Sequence, residues 1–243
     1  MQIYGRNFPG SAIQTLAEKL NNVNIGLRWG GPKIGEWPKV INSQATLLNG
    51  LEQLQTFQKA NLPCVEFTTE LEQAQKWLDD RLIVFARKLF HTQGKDIIIL
   101  DPYKGIPAGF GKGRRRRDFY SLYKPSLSEW RFHICKNPQG EYVSIARGKK
   151  VFVPSENIPE VDGLLIRSRS RGWHLSHTEA PSPAARDLAK KAVAALGYDL
   201  GAVDLIEIAK GKFALLEVNS RPAIRDDYTI AHYEKAFQSL AKI

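Results

Sequence analysis

Apolar residues recur at spacings of three and four in residues 43–62, a periodicity typical of an amphipathic helix. Leu47, Leu51 and Leu54 form the apolar face, and Ser43 is available as the N-cap. Thr69 has a glutamate three residues later, the spacing of a capping box, and predicts the start of a second helix. The predicted helices cover residues 12–20, 43–62, 69–78 and 183–196, the last of these with Ser182 as N-cap.

Shorter apolar runs, rich in β-branched and aromatic residues, lie between turn signals and predict strands. A turn at residues 91–95 separates the first two runs into a hairpin, and the Asn-Pro-Gln-Gly sequence at 137–140 turns between two others. The predicted strands cover residues 82–86, 97–100, 119–124, 130–135, 141–146, 201–208 and 213–219. This order predicts an α/β fold built of α+β lobes, preceded by a small α/β lobe at residues 1–42.

The composition is that of a globular protein, because the 243 residues are 43% hydrophobic and 25% charged. No apolar run is long enough to span a membrane, and the N-terminal residues lack the basic and then apolar order of a signal peptide. We therefore expect a cytoplasmic protein with no membrane partner. Cys64 and Cys135 have no CxxC or Cys/His spacing, which argues against a disulfide scaffold and a structural zinc site.

Positive charge is concentrated locally within a chain of net charge +10. Two short clusters hold much of it: Arg114, Arg115, Arg116 and Arg117, then Arg167, Arg169 and Arg171. Such clusters suit a polyanion, whether nucleic acid, nucleotide phosphates or an acidic peptide, and charge alone does not choose among them. The four-arginine run, in a loop with several glycines, is equally typical of a solvated loop with no fixed partner.

The last two predicted strands carry the most informative polar residues. If Lys210-Gly211 is a two-residue hairpin loop, Asp204 lies directly across from Glu217, and Asn219 follows on the same face. Directly opposed side chains have Cβ atoms about 4.5 to 5.5 Å apart, so two carboxylates repel there unless a cation or a proton lies between them. Oxygen ligands of this kind suit Mg²⁺, which substrate phosphates usually complete.

A structural alternative remains, in which a bulge or another register keeps these acids apart on a solvent-facing hairpin. Phosphate-binding groups elsewhere favour the metal interpretation, because cations must neutralise the phosphates that carboxylates would repel. These groups are Arg87, Lys88, Lys124, Arg131 and Arg167, with a turn at Gly94. The sequence contains no GxxxxGK[ST] loop, no GxGxxG after a strand, no KxDG lysine and no GxSxG elbow.

Four segments share the motifs of one family, in that family's order. They are VFARKLFHTQGKDIII, YSLYKPSLSEWRFHI, LLIRSRSRGWHL and AARDLAKKAVAALGYDLGAVDLIEIAKGKFALLEVNSRPAI. The last contains a helix, a GxxD strand and a strand that ends in ExNS, and the third is similar to an arginine-bearing strand. Together they resemble the ATP-grasp superfamily, most of all small bacteriophage members similar to the ribosomal-protein glutamate ligases (RimK-like). The resemblance extends over roughly residues 40–240.

The resemblance implies an ATP-grasp fold, in which two mostly antiparallel sheet lobes clasp ATP. It divides the chain into a short N-terminal lobe at 1–42, an N-lobe with a phosphate-covering hairpin at 43–124, and a C-lobe with the metal and substrate site at 125–243. It also implies an ATP-dependent carboxylate–amine ligase. Such an enzyme forms an acyl phosphate, releases ADP and phosphate, and here would add an amino acid to a peptide or protein.

The same resemblance implies a role for each candidate residue. Asp204, Glu217 and Asn219 would hold Mg²⁺ against the ATP phosphates. Arg167 would stabilise charge on the transferring phosphoryl group, and Arg131 would stabilise a phosphate or the substrate carboxylate. Arg87 or Lys88 would contact the α- and β-phosphates, and the turn at Gly94 would cover them. Tyr123 and Lys124 would lie beside the adenine. Ser220 would contact the acceptor.

Two other functions stay open. The net charge and the arginines at 114–117 favour a basic RNA- or DNA-binding protein, or a nucleic-acid-modifying enzyme on an ATP-grasp-like core, with salt-sensitive binding. Asp96 and Ala223 stand where relatives have glycine, so a module that binds ATP without ligation is a third interpretation.

Overall fold

The computed structural model describes residues 1–5, 12–31, 40–89, 96–107, 110, 117–154 and 164–241. The helices are α1 (Ala12–Lys19), α2 (Gly50–Lys59), α3 (Leu71–Asp79), α4 (Pro183–Ala195) and α5 (Asp227–Ala241), with a 3₁₀ helix at Arg169–Arg171. The strands are β1 (Gln2–Gly5), β2 (Gly26–Trp29), β3 (Val40–Ile41), β4 (Phe67–Thr68), β5 (Val84–Arg87), β6 (Ile98–Leu100), β7 (Phe119–Leu122), β8 (Ser128–Lys136), β9 (Tyr142–Phe152), β10 (Trp173–Ser176), β11 (Leu200–Ala209) and β12 (Lys212–Asn219).

The described strands form three sheets. The first is small and parallel, with the order β1-β2-β3. The second is antiparallel, with the order β4-β7-β5-β6, and contains the predicted hairpin of β5 and β6. The third, also antiparallel, has the order β10-β9-β8-β11-β12. The predicted α/β class with two mostly antiparallel lobes is confirmed.

The five-stranded sheet has one apolar face and one polar face, and β8 shows why. Trp130, Phe132 and Ile134 alternate along this strand with polar residues, and all three are buried in the largest core cluster. Helix α4 covers that face with small residues such as Ala185 and Ala189, both fully buried. The polar residues of β8 therefore share the other face, where the candidate site lies.

Helix α2 begins later than the sequence predicted. Its first residue is Gly50 and its N-cap is Asn49, so the prediction of Ser43 as N-cap was wrong. The Asn49 side chain accepts a hydrogen bond from the backbone N of Glu52 (3.0 Å), and the Glu52 carboxylate accepts one from the backbone N of Asn49 (2.8 Å). This reciprocal capping box satisfies two free N–H groups at once, which decides where the helix begins.

The capping predictions for two other helices need similar correction. Helix α3 has Glu70 at its N-cap without a side-chain cap hydrogen bond, so the capping box predicted at Thr69 was wrong. Helix α4 begins at Pro183 as predicted, but the Ser182 side chain forms no cap hydrogen bond. Gly197 follows α4 with φ +67°, a left-handed conformation that favours glycine after a helix.

The small parallel sheet packs on the last helix of the chain. Ile13 and Leu16 of α1 share a core cluster with Tyr233 and Phe237 of α5 and with Leu200 at the start of β11. Helix α1 and the small parallel sheet are therefore anchored to elements that follow residue 199. None of the described helices is both long enough and apolar enough to cross a membrane.

Asn42 joins the small sheet to the five-stranded sheet. Its backbone is left-handed, with φ 62°, and only 1% of the residue is exposed. The side-chain oxygen accepts hydrogen bonds from the backbone N of Asp199 (2.7 Å) and of Leu200 (3.0 Å), and the side-chain nitrogen donates to the Leu200 carbonyl (2.8 Å). One side chain thus satisfies three backbone groups at the start of β11.

We expect Asn42→Gly to lower the free energy of unfolding by about 2 kcal/mol, because glycine accepts the left-handed backbone but leaves the three backbone groups of Asp199 and Leu200 without their partner. Asn61→Gly is the matched control, since Asn61 is also left-handed (φ 54°) but exposed. Urea unfolding of both variants measures the difference. Equal losses in the two variants would show that the Asn42 side chain adds nothing to stability.

Candidate active site

A row of charged residues crosses three neighbouring strands of the five-stranded sheet. Asp204 on β11 pairs with Arg131 on β8 and, on its other side, with Glu217 on β12. The predicted turn at Lys210-Gly211 is confirmed, because Ala209 pairs with Lys212 across it, and so is the predicted opposition of Asp204 and Glu217.

Two irregularities in this hairpin cancel each other. β11 has an extra residue at Ile208, between Glu207 and Ala209, and β12 has an extra residue at Leu216. A single bulge would shift the pairing by one residue and turn Glu217 to the opposite face of the sheet from Asp204. The second bulge restores the register, so the bulge that the sequence left open as an alternative is present but does not separate the acids.

The Asp204 carboxylate is held by Arg131 in a bidentate ion pair. The Arg131 Nε and Nη2 atoms donate to the two carboxylate oxygens at 2.7 and 2.6 Å, and the Asp204 side chain is 4% exposed. Burial alone would raise the pKa of Asp204, but Arg131 and then Lys150 outweigh it and hold the pKa at about 2. Burial likewise opposes the charge of Arg131, yet Asp204 raises the pKa of the guanidinium.

Lys150 on β9 and Glu129 on β8 extend the row. The Lys150 ammonium donates to the Glu129 carboxylate and lies 3.6 Å from Asp204, and both Lys150 and Glu129 side chains are at least 87% buried. Burial raises the pKa of Glu129, an effect that Lys150 opposes. We call Arg131, Asp204, Glu217, Lys150 and Glu129 the charged row. Arg131 and Lys150 each pair with a carboxylate of the row, whereas Glu217 lies opposite another carboxylate, Asp204.

Arg167 lies at the Glu129 end of the charged row. Its Nε is 3.8 Å from the Glu129 carboxylate, its guanidinium lies 4.8 Å from the centre of the Trp173 ring, and its carbonyl accepts a hydrogen bond from Lys150 (2.8 Å). The expected arginine-bearing strand is wrong in this detail. Arg167 precedes the 3₁₀ helix, and the strand begins only at Trp173.

His133 follows Glu129 and Arg131 on the polar face of β8. It is the next residue after Arg131 on the same face, and its Nδ1 shares a 2.8 Å hydrogen bond with the hydroxyl of Tyr233. Burial, together with the positive charge of Arg131, lowers the pKa of His133 to about 3. The imidazole is therefore neutral at physiological pH and separates the row from the core beneath α5.

Glu217 and Asn219 present the oxygens that suit a divalent cation. Both side chains are half-buried, and the Asn219 Nδ2 donates to a Glu217 oxygen at 3.1 Å, which shows that the two side chains lie together. No group of three His, Cys, Asp or Glu residues suited to a metal occurs in the described part of the chain. One carboxylate and one amide fit Mg²⁺, which usually takes one or two carboxylates and completes its shell with water and substrate phosphates.

Arg87 reaches the site from the four-stranded sheet. It is the last residue of β5, and burial lowers its pKa while the carboxylates of Glu217 and Glu129 oppose the shift. Its Nε is buried and has no hydrogen-bond partner among the described residues. Lys88 is half-buried, and no hydrogen bond or ion pair joins it to another described residue. Electrostatic coupling to the charged row therefore distinguishes Arg87 from Lys88.

Solved structures of other proteins share the architecture of these two antiparallel sheets. The ATP-grasp ligase PsnB, complexed with a minimal precursor, superposes with a TM-score of 0.57 at 15% identity over 82% of this chain and 64% of PsnB. Carboxyaminoimidazole ribonucleotide synthase from Aspergillus clavatus, complexed with ATP, gives 0.57 at 18% identity over 84% and 55%. The chain has an ATP-grasp fold.

A third solved protein has the same fold, and the chain spans only part of the length of all three. D-alanyl-alanine synthetase A from Vibrio cholerae gives a TM-score of 0.55 at 11% identity, over 81% of this chain and 66% of that protein. The chain spans less than two thirds of the length of these three solved proteins. No protein-family model matches the sequence, and no curated protein matches it.

Tyr123 and Lys124 lie where the ATP-grasp fold passes from one sheet to the other. The Tyr123 ring packs against Phe85 of β5 (5.5 Å between ring centres), and its backbone N donates to the Ile83 carbonyl (2.9 Å). The Lys124 ammonium forms an ion pair with Glu66 (2.6 Å). Tyr123 and Lys124 therefore lie at the border of the four-stranded sheet, outside the charged row.

The structure brings only part of the predicted site together. Ser220 follows β12 directly and is half-buried next to Asn219. Gly94, Arg114, Arg115 and Arg116 lie outside the described residues, so the phosphate-covering turn and most of the predicted polyanion site stay predictions. Arg117 is within the described residues, just before β7, and it interacts with another group of the protein.

Sequence reasoning missed Glu129 and Lys150, although one signal was available. Glu129, Arg131 and His133 alternate with aromatic and aliphatic residues along β8, so the pattern places them on one face. Lys149 and Lys150 are neighbours in β9, so the sequence alone does not show which of them is buried. In the structure Lys150 pairs with the buried Glu129, whereas Lys149 pairs with the exposed Glu179.

Proposed function

We propose that this protein is an ATP-dependent carboxylate–amine ligase that acts through an acyl phosphate. One observation carries the proposal: on a sheet of the ATP-grasp fold, the oxygen ligands Glu217 and Asn219 lie beside a buried Arg131–Asp204 pair, with Arg87 facing them from the other sheet. A site that transfers a phosphoryl group needs this combination, because it must hold a cation and neutralise several phosphate charges.

In this proposal Glu217 and Asn219 hold Mg²⁺. A bound Mg²⁺ would offset negative charge on the β- and γ-phosphates. Asp204 is the third proposed ligand, although both of its oxygens accept hydrogen bonds from Arg131 in this structure. Phosphate oxygens are competing acceptors for Arg131, so binding of ATP would free an Asp204 oxygen for the metal.

The cations of the site match the charges that the reaction develops. An oxygen of the substrate carboxylate bonds to the γ-phosphorus as the bond to the β-phosphate oxygen breaks, and ADP leaves. The amine nitrogen then bonds to the acyl carbon, the carbon–oxygen bond to phosphate breaks, phosphate leaves and the amine gives up a proton. Arg167 and Arg131 would stabilise the charge on the transferring phosphoryl group and on the substrate carboxylate.

The proposed nucleotide contacts lie on the four-stranded sheet or at its border with the five-stranded sheet. Arg87 is the proposed contact of the α- and β-phosphates, since its buried Nε has no partner among the described residues and its charge couples to Glu217. Tyr123 and Lys124, at the border between the sheets, are the proposed adenine contacts. The covering turn at Gly94, the choice of Arg87 over Lys88 and the division into lobes at residues 42 and 124 remain predictions.

A peptide or protein is the proposed acceptor, with Ser220 at its edge. Support comes from PsnB, whose structures include complexes with a precursor peptide and AMPPNP and with a minimal precursor, Mg and ADP. The closer resemblance to phage-type ribosomal-protein glutamate ligases, the cytoplasmic location and a polyanion at Arg114–Arg117 remain predictions from the sequence.

Calorimetry with ADP, in the presence and absence of Mg²⁺, tests the nucleotide and metal site. We expect Mg²⁺-dependent binding, and we expect Glu217→Gln to weaken it by at least about tenfold while the fold stays intact, because the amide supplies a weaker ligand without charge. Glu179→Gln, at an exposed glutamate that follows β10 and lies outside the charged row, is the control and should bind as the wild type does.

Turnover then tests the reaction. With ATP, Mg²⁺ and a panel of amino acids and short peptides, a ligase releases ADP and phosphate only when a carboxylate and an amine are both supplied. Nucleotide binding without turnover in any combination would favour the binding module. Absence of nucleotide binding, with salt-sensitive binding to RNA, would favour the nucleic-acid-binding alternative.

A further inference from the structure

The side chain of Gln53 completes the edge of the five-stranded sheet. Gln53 lies on α2 and is 7% exposed, and it is 165 residues from Val218 in the sequence. Its side-chain oxygen accepts a hydrogen bond from the Val218 backbone N (2.7 Å), and its Nε2 donates to the Val218 carbonyl (3.1 Å). The amide thus takes the place of a neighbouring strand, because it offers one donor and one acceptor to one residue.

The edge strand β12 needs such a partner at this position. At Leu215 the chain segment 63–65 pairs with the strand: Leu215 donates to the Pro63 carbonyl (2.9 Å) and accepts from the Val65 backbone N (3.2 Å). The Leu216 bulge follows, and beyond it the backbone N–H and carbonyl of Val218 meet the Gln53 side chain of α2. Gln53 therefore contacts the strand on the far side of the bulge from the segment at 63–65.

Val218 lies between the two proposed metal ligands. Its own side chain is 3% exposed and packs in the core, so Glu217 and Asn219 project from the opposite face. A slip of the strand by one residue beyond the bulge would exchange these faces and bury the ligands in the core. Smaller displacements also matter, because Mg²⁺ demands near-ideal octahedral geometry at about 2.0 to 2.1 Å.

We propose that Gln53 is a positioning residue that fixes the register of β12 beyond the Leu216 bulge and thereby aims Glu217 and Asn219 at the divalent cation. The proposal rests on the proposed function, since it takes Glu217 and Asn219 as metal ligands. Gln53 also donates to the Leu48 carbonyl (3.1 Å), and its link to the two ligands runs through the backbone of Val218, which lies between them.

The test compares Gln53→Met with Gln55→Met. Both replace a glutamine of α2 by an apolar residue of similar length, but Gln55 is exposed. The quantity measured is the affinity of Mg²⁺ for the ADP-saturated protein, by calorimetry well below the unfolding temperature. We expect Gln53→Met to weaken Mg²⁺ binding on the order of tenfold, as outer-shell partners of metal ligands do. Binding of ADP without metal should stay within about twofold of the wild type, because the proposal assigns Gln53 an effect on the metal ligands and not on the proposed nucleotide contacts.

A second measurement, hydrogen exchange, requires neither ADP nor Mg²⁺. Hydrogen exchange of the Val218 amide in the metal-free protein should lose protection in Gln53→Met and keep it in Gln55→Met. If Gln53→Met does not fold, Gln53→Asn replaces it. Asparagine keeps the amide but is one methylene shorter, and we expect it to weaken Mg²⁺ binding by an intermediate factor.

The outcomes separate the two proposals. If Glu217→Gln loses Mg²⁺-dependent binding while folded Gln53→Met keeps wild-type Mg²⁺ affinity, the positioning role is wrong and the metal site stands. If the wild-type protein shows no Mg²⁺-dependent nucleotide binding, both proposals are wrong. A uniform loss of ADP and Mg²⁺ affinity in Gln53→Met would assign Gln53 a general structural role instead.

Discussion

Asp204→Asn is expected to lower the free energy of unfolding by about 4 kcal/mol at pH 7 and to abolish Mg²⁺-dependent nucleotide binding. The substitution leaves the Arg131 guanidinium, whose side chain is 18% exposed, without its bidentate carboxylate. Removing one member of a buried ion pair costs more than the pair contributes, because the remaining charge stays buried. Urea unfolding measures the first effect and calorimetry with ADP and Mg²⁺ the second.

The pH dependence of this loss identifies its source. The pKa of Asp204 is about 2 in the folded protein, below its ordinary value of 3.8, so the ionised carboxylate stabilises the fold fully above about pH 4. This contribution, about 2 kcal/mol, disappears as the pH falls from about 4 to 2. The gap between wild type and Asp204→Asn should therefore narrow over that interval.

Asp187→Asn is the control for the Asp204 experiment, since Asp187 is exposed on α4. We expect it to change the free energy of unfolding by less than about 0.5 kcal/mol at every pH. A constant gap between wild type and Asp204→Asn from pH 5 to pH 2 would contradict the assignment of the effect to the carboxylate charge.

Lys150→Met is expected to cost about 3 kcal/mol in the free energy of unfolding and to weaken nucleotide binding. The ammonium lies between Glu129 and Asp204, so its loss leaves the buried Glu129 with Arg167, 3.8 Å away, as its remaining ion-pair partner among the described residues. The substitution also removes the hydrogen bond that Lys150 donates to the Arg167 carbonyl. Urea unfolding and calorimetry with ADP measure the two effects.

Lys149→Met is the matched control, one residue away on the same strand. Lys149 pairs with Glu179, whose side chain is 51% exposed, so we expect a change below about 1 kcal/mol. The double variant Lys150→Met with Glu129→Gln removes both charges and should recover much of the lost stability. Additive losses in the double variant would show that the two residues do not interact as the structure places them.

A lower pH should also partly rescue Lys150→Met. Burial raises the pKa of Glu129 above its ordinary value, and loss of the lysine raises it further. An acid with a raised pKa in the folded state destabilises the fold when ionised, and this cost disappears as the pH falls through the folded pKa. The deficit of Lys150→Met should therefore shrink as the solution is acidified from pH 7.

Local signals predicted the parts of the fold that local interactions decide. The Lys210-Gly211 turn fixed the hairpin, and glycine and proline marked both ends of α4, but the predicted pairing of Asp204 with Glu217 holds because the two bulges cancel. The start of α2 was misplaced because Ser43 precedes the apolar repeat, whereas Asn49 has the glutamate three residues later that a reciprocal box requires.

The rest of the site depends on packing between distant segments. The pairing of β8 with β9 contains its own irregularity near Ile134, and this register decides that Lys150 meets Glu129. Asp204 also needed a counter-charge, and the sequence suggested a metal, whereas the structure supplies Arg131 from the neighbouring strand. Gln53 could not be recognised at all, since helix α2 does not indicate which strand edge it will cover.

The Asn42 junction has a consequence for the order in which the protein is made. Its partners lie 157 residues later in the chain, and at about 5 to 20 residues per second a ribosome needs about 8 to 30 s to reach them. During that time Ile13 and Leu16 also lack Tyr233 and Phe237, with which they form a core. Ile13, Leu16 and Asn42 thus leave the ribosome well before the residues that bury them, and a nascent chain exposes this apolar surface to chaperones in the interval.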